Sequence, residues 1–184
     1  METRFRAQSL SYKEAMTYLF LGIVFLILET TAWSWVDPAH CRPNLILILI
    51  VYLGMAIPLI TGSILIVCFG LLTDTASGGP AGLFTIVYLL IFGITVLMRQ
   101  RLEPTTIFYQ MIVILLLAVL AETMIWCILS IYGWPLEIIF APSRGLFIVA
   151  QGVSVLLTAF VSPVFFWFFE RIRFTNGQQT GDEV

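Results

Sequence analysis

Apolar residues fall in long runs along this chain, and polar residues are confined to short intervals between them. Four runs stand out: Ala15–Val36, Ala81–Met98, Ile107–Tyr132 and Leu146–Phe169. Each is of the order a helix needs to cross a hydrocarbon core of about 30 Å. A fifth run, Leu45–Leu72, is too long for one upright span and short for two. Pro58, followed by Gly62, lies near its middle. Pro and Gly punctuate helices, so the pattern favours a tight hairpin of two short spans over one long kinked helix. Strands of a membrane barrel would show polar residues at alternate positions, and these runs do not. Helices remain as the structures whose backbone groups are satisfied in lipid. The expectation is an all-α, polytopic integral membrane protein with six transmembrane helices, the second and third forming a short hairpin. Residues 1–14 are read as an N-terminal tail, 15–171 as the six-span domain and 172–184 as a disordered tail.

Charge sets the expected orientation. With six spans and the N-terminus inside, Arg4, Arg6, Lys13, Arg99, Arg101, Arg171 and Arg173 are cytoplasmic, and Arg42 and Arg144 are outside. The nine basic residues then divide seven to two. Five spans would swap the sides after the hairpin and divide them four to five. The excess of Lys and Arg on the cytoplasmic side therefore selects six spans with both termini cytoplasmic. Aromatic residues agree: Tyr12 and Tyr18 flank one end of the first span, Trp33 and Trp35 the other, and Tyr132 and Trp134 mark the outer end of the fifth. The stretch Gly133–Gly145 is too apolar for a free loop and should lie in the interface or fold back on the bundle.

Composition narrows the function. The 184 residues are 60% hydrophobic and 11% charged, with net charge −2. Their mean hydropathy is +1.01. Soluble domains carry about 25% charged residues, and the scattered Arg residues leave no footprint for nucleic acid. Arg4, Arg6 and Lys13 precede a run too long for a signal peptide and without a small-x-small cleavage site, so it reads as a retained span. Cys41, Cys68 and Cys127 form no CxxC and read as small buried hydrophobes, and the lone pair His40-Cys41 lacks further zinc ligands. No cofactor is implied. A His-Glu-x-x-His run, a Ser-His pair and a protease-like Asp pair are all missing, so an intramembrane enzyme has no support.

A few residues are candidates for function. Glu29 and Glu122 are carboxylates inside the first and fifth spans, each either a proton or ligand site or a structural group bonded to Ser, Thr or backbone. Asp74, before Thr75-Ala76-Ser77-Gly78-Gly79-Pro80-Ala81-Gly82, is placed to offer its carboxylate to the N–H groups opening the fourth span. Gly78-Gly79 permit a tight turn, Gly82 belongs with them among the turn and cap residues, Pro80 suits the first helical turn, and Pro43-Asn44 open the second span. This Gly-rich stretch is no P-loop, lacking Gly-Lys-Ser/Thr. On the sixth span Ala150, Ser154, Thr158 and Ser162 recur every fourth residue, a small-residue stripe that admits a close helix, from the bundle or from a partner. Trp134 in the apolar outer stretch is a second candidate contact, and Pro163 should kink the helix beyond the stripe.

The stretch from Arg42 to Leu102 resembles the rod shape-determining protein MreD family. The resemblance is carried by Arg42-Pro43-Asn44, Pro58, Gly62, Gly70, Asp74, Ser77-Gly78-Gly79-Pro80-Ala81-Gly82-Leu83 and Arg99-Gln100-Arg101-Leu102. It covers about a third of the chain. Beyond it the likeness is one of length, span count and short tails. It implies a non-enzymatic protein of the bacterial inner membrane that binds an MreC-like partner. It also implies membership of the elongation complex, with RodA, its penicillin-binding partner and MreB, that supports side-wall peptidoglycan synthesis. The family is also similar in fold to the S-components of vitamin transporters, so a small-molecule-binding subunit is the alternative. Against it, the first span lacks an Ala-x-x-x-Ala docking pattern, and the outer connections lack the polar and aromatic lining of a vitamin pocket.

Overall fold

The computed structural model describes residues 12–32, 43–99, 107–133 and 144–178. Among them are six α-helices and no strand. Helix α1 is Tyr12–Ile27, continued by a π-helical stretch Leu28–Ala32; α2 is Leu45–Ala56 and α3 is Leu59–Ser77; α4 is Leu83–Met98, α5 is Ile107–Ile131 and α6 is Arg144–Gln178. Three stretches are long and apolar enough to cross a membrane: Leu59–Ser77, Gln110–Ile131 and Gln151–Arg171. Met16–Thr31, Leu45–Ala56 and Leu83–Met98 are shorter apolar helices.

The fold is built around α2. Its 12 residues, LILILIVYLGMA, show no polar side, and a helix that is apolar all round belongs inside a bundle. Leu45 to Met55 are all buried, with Ile48, Leu49, Ile50, Val51 and Leu53 fully so. At about 1.5 Å per residue α2 is only about 18 Å long, well short of the hydrocarbon core. Lipid tails are as apolar as Leu, so its enclosure rests on close packing and hydrogen bonds and not on escape from water.

The run Leu45–Leu72 is two helices and not one. Pro58 has no N–H and pushes the residue before it out of helical geometry, and Ile57 is extended (φ −116°, ψ 158°). The chain then reverses: Asn44 and Ile46 at the start of α2 border the same cavity as Thr73 and Ser77 at the end of α3. Gly62, expected to share in the turn, instead lies within α3, its N–H donating to Pro58 O at 3.0 Å. Its lack of a side chain serves packing, since a Cβ there would run into the Phe92 ring of α4. Gly70 does the same two turns on, where a Cβ would collide with the Thr85 backbone. Gly62, Ile66, Gly70 and Asp74 thus form one face of α3 against α4.

Facing aromatic rings tie α1, α2 and α6. Phe25 and Phe165 meet edge to face at 5.2 Å between centroids, and Tyr52 lies 4.8 Å from Phe169. Outward-facing positions carry large apolar residues, with Ile131 83% and Ile60 79% exposed. Such a surface is stable against lipid and not against water.

Two boundaries differ from the sequence expectation. α1 turns π-helical at Leu28, and the wider turn carries Glu29 round towards α2. α6 continues to Gln178, past residue 172, because Arg171 and Arg173 are good helix formers. Pro163 lies inside α6, beyond the stripe.

Candidate functional site

The N-terminus of α2 is where the bundle concentrates its polar chemistry. A helix start leaves about four N–H groups without intrahelical partners, and here each is accounted for. Asn44 N–H donates to Thr158 Oγ1 at 2.9 Å. Leu45 and Ile46 N–H both donate to Glu29 Oε1, the latter at 3.2 Å. Leu47 N–H donates to Asn44 Oδ1 at 2.8 Å. The caps therefore come from α1, from α6 and from α2's own leading residue. Glu29 places a carboxyl oxygen at the positive end of the helix dipole, where negative charge is favoured. The opposite end is closed by Arg99, whose guanidinium donates to Ile57 O at 3.0 Å.

Asp74 caps α4. Its carboxylate accepts from Gly82 N–H at 3.0 Å, Phe84 N–H at 2.8 Å and the Thr85 hydroxyl at 2.7 Å, with a longer contact of 3.4 Å from Thr85 N–H. Gly78 and Gly82 take part in the turn as expected, and Gly79 does not need to be glycine. Gly78 (φ 65°) ends α3 and Gly82 (φ 89°) opens α4, so these two occupy the left-handed region. Gly79 does not, and a Cβ on it would meet only Ser77 Oγ at 3.6 Å. Pro80 stands in the turn, three residues before α4, and its carbonyl accepts from Leu83 N–H at 3.3 Å.

Glu122, on α5, is bonded by the side-chain amide of Gln151 on α6 and not by a hydroxyl or backbone group. Gln151 carried no motif, and its signal is geometric. Folding α5 and α6 into an antiparallel pair puts the two at similar depths. Arg99 and Gln151 are the residues that local reading passes over.

Glu29 and Glu122 border one cavity of about 310 Å3, together with Asn44, Thr73, Ser77 and Ser154. Its described polar lining comes from the ends of α1, α2 and α3 and from Glu122 and Ser154 within α5 and α6. The Thr30 hydroxyl donates to Leu26 O at 2.9 Å, Thr73 to Phe69 O at 2.9 Å and Ser77 to Asp74 O at 3.1 Å. Among the described residues no Lys, Arg, His or aromatic side chain borders the cavity. A second concavity, between Met111–Leu115 of α5 and Val153–Phe160 of α6, is lined by apolar side chains.

Two members of the small-residue stripe of α6 face inward, and Ser154 is half-buried beside the cavity. Thr158 and Ser162 are buried, and Thr158 both caps α2 and donates to Ser154 O at 2.8 Å. They are committed to the bundle and leave no surface there for a partner. The side chain of Ala150, Trp134 and the rest of the outer stretch 134–143 lie outside the described residues. Pro43 is buried beside Asn44. Cys127 is exposed on α5 and Cys68 is half-buried, so neither is the fully buried small hydrophobe the sequence suggests.

Comparison with family models, with curated proteins and with solved structures finds no match to this chain.

Proposed function

We propose that the chain is a six-span protein of the bacterial inner membrane that acts as a non-enzymatic scaffold in a rod-shape elongation complex, binding an MreC-like partner. One observation carries the reading. The residues of the MreD-like stretch do architectural work around a single element: Asn44 caps α2, Pro58 turns it into α3, Gly62 and Gly70 let α4 close on α3, Asp74 caps α4 and Arg99 closes the far end of α2. A motif that builds a fold fits a protein whose surface, and not a reaction centre, is its product. The termini, the Ile57–Pro58 turn and the α4–α5 connection are assigned to the cytoplasm. The Arg99–Ile57 bond supports the last two sharing a side, and the basic excess supports that side being the inner one.

The test is purification of the tagged protein in mild detergent from a rod-shaped bacterium, with mass spectrometry of what co-elutes, beside depletion in the same host. An MreC-like protein should co-elute, and depleted cells should round up. Unchanged shape together with a bound vitamin in place of a partner protein would promote the transporter-subunit reading, for which the polar cavity is the supporting observation.

A further inference from the structure

The cavity bordered by Glu29 and Glu122 has a chemical bias that the scaffold role does not use. Most of its polar groups are acceptors, with the Asn44 side-chain amide as a donor among them. Glu29 and Glu122 are carboxylates, held in place by the α2 backbone and by Gln151. The hydroxyl protons of Thr30, Thr73 and Ser77 are spent on carbonyls of their own helices, which leaves oxygen lone pairs as what these groups can offer inward. No cationic side chain among the described residues borders the cavity to match them. A volume of about 310 Å3 is at the lower end of small-ligand sites, and holds roughly ten waters at about 30 Å3 each.

We propose that this cavity binds the primary ammonium group of a small organic cation. An ammonium carries three donors and no acceptor, which complements an acceptor-rich wall. A metal ion is a poorer fit, since no group of three or more His, Cys, Asp or Glu gathers among the described residues. A quaternary ammonium is poorer still: it has no N–H to donate, and the described lining holds no aromatic ring to receive it. The same ammonium chemistry is available from a free amine or from an ethanolamine lipid headgroup. The site stands whether or not the chain belongs to a cell-shape complex.

The full chain in nanodiscs of phosphatidylcholine and phosphatidylglycerol is titrated with ethanolamine hydrochloride, following the thermal unfolding midpoint. Choline chloride at equal ionic strength is the control. Ethanolamine should give a saturable rise and choline none. Glu122→Gln should raise the half-saturating concentration about tenfold, the loss of one charge-assisted bond. Ala76→Leu, which intrudes on the cavity from an exposed position and disturbs no cap, should do the same. If nanodiscs containing phosphatidylethanolamine abolish the response, the lipid headgroup is the occupant; if the response persists, a free amine is. Equal responses to ethanolamine and choline, or wild-type titration by both variants, would overturn the proposal.

Discussion

Replacing Asp74 with Leu tests whether that carboxylate holds the fold or serves a site. The variant removes the acceptor of two well-formed N–H bonds, from Phe84 at 2.8 Å and Gly82 at 3.0 Å, and of the 2.7 Å bond from the Thr85 hydroxyl. Each bond to a charged partner contributes about 1.5–3 kcal/mol. Two effects reduce the loss. The Thr85 hydroxyl can turn to the carbonyl one helical turn back, and the half-buried Gly82 N–H can find water. About 3 kcal/mol remains, a large part of a total stability of about 5–15 kcal/mol. Asp74→Asn keeps one carbonyl oxygen and should lose about half as much. Both are measured by titrating dodecylmaltoside micelles with SDS and following tryptophan fluorescence. Leu at position 74 within about 0.5 kcal/mol of wild type, with partner binding lost, would refute the capping argument and make Asp74 part of a binding surface.

Gly70→Ala should destabilise by about 1–3 kcal/mol, because the new methyl meets the Thr85 backbone, whereas Gly93→Ala, with open space at its Cβ, should stabilise by up to about 1 kcal/mol; the same titration separates them. Thr158→Val keeps the shape but leaves the Asn44 N–H without its acceptor, and should lower stability by about 1–3 kcal/mol. Equal unfolding of Thr158→Val and wild type would show that this cap is replaced by water. Alkaline phosphatase fused after Arg173 should be inactive, as a cytoplasmic C-terminus requires, and strong activity there would sink the six-span topology.

What sequence could reveal depended on how far apart the partners lie. Asp74 and the N–H groups it accepts from are eight to eleven residues apart across one turn, so local spacing suffices to place them together. The α2–α3 reversal is similarly local, because Pro58 acts on its neighbours. Glu29 is different: its partners, 16 and 17 residues on, belong to a helix whose start it meets only once the bundle closes. The Asn44–Thr158 bond joins residues 114 apart, and no periodicity encodes it. The stripe on α6 was visible as a stripe, but a repeat of small residues says that a helix approaches and not which one. The central place of α2 was hidden for a related reason. Its run is apolar all round, but in a membrane lipid accepts the same residues as a bundle interior, so that signal alone does not single it out.

The manner in which α2 is enclosed bears on how the polypeptide is made. At about 18 Å it is too short to sit in a bilayer as a self-sufficient span, so it is expected to leave the translocation machinery paired with α3 as one inserting unit. Its capping group on Thr158 belongs to α6, the last described helix to emerge from the ribosome. Until that helix docks, the Asn44 N–H lacks its acceptor, and an unsatisfied backbone group is penalised wherever lipid reaches it. Assembly intermediates therefore carry a built-in mark of incompleteness. A chain whose synthesis stalls before α6 should be a preferred substrate for membrane proteolysis, while the finished molecule is spared.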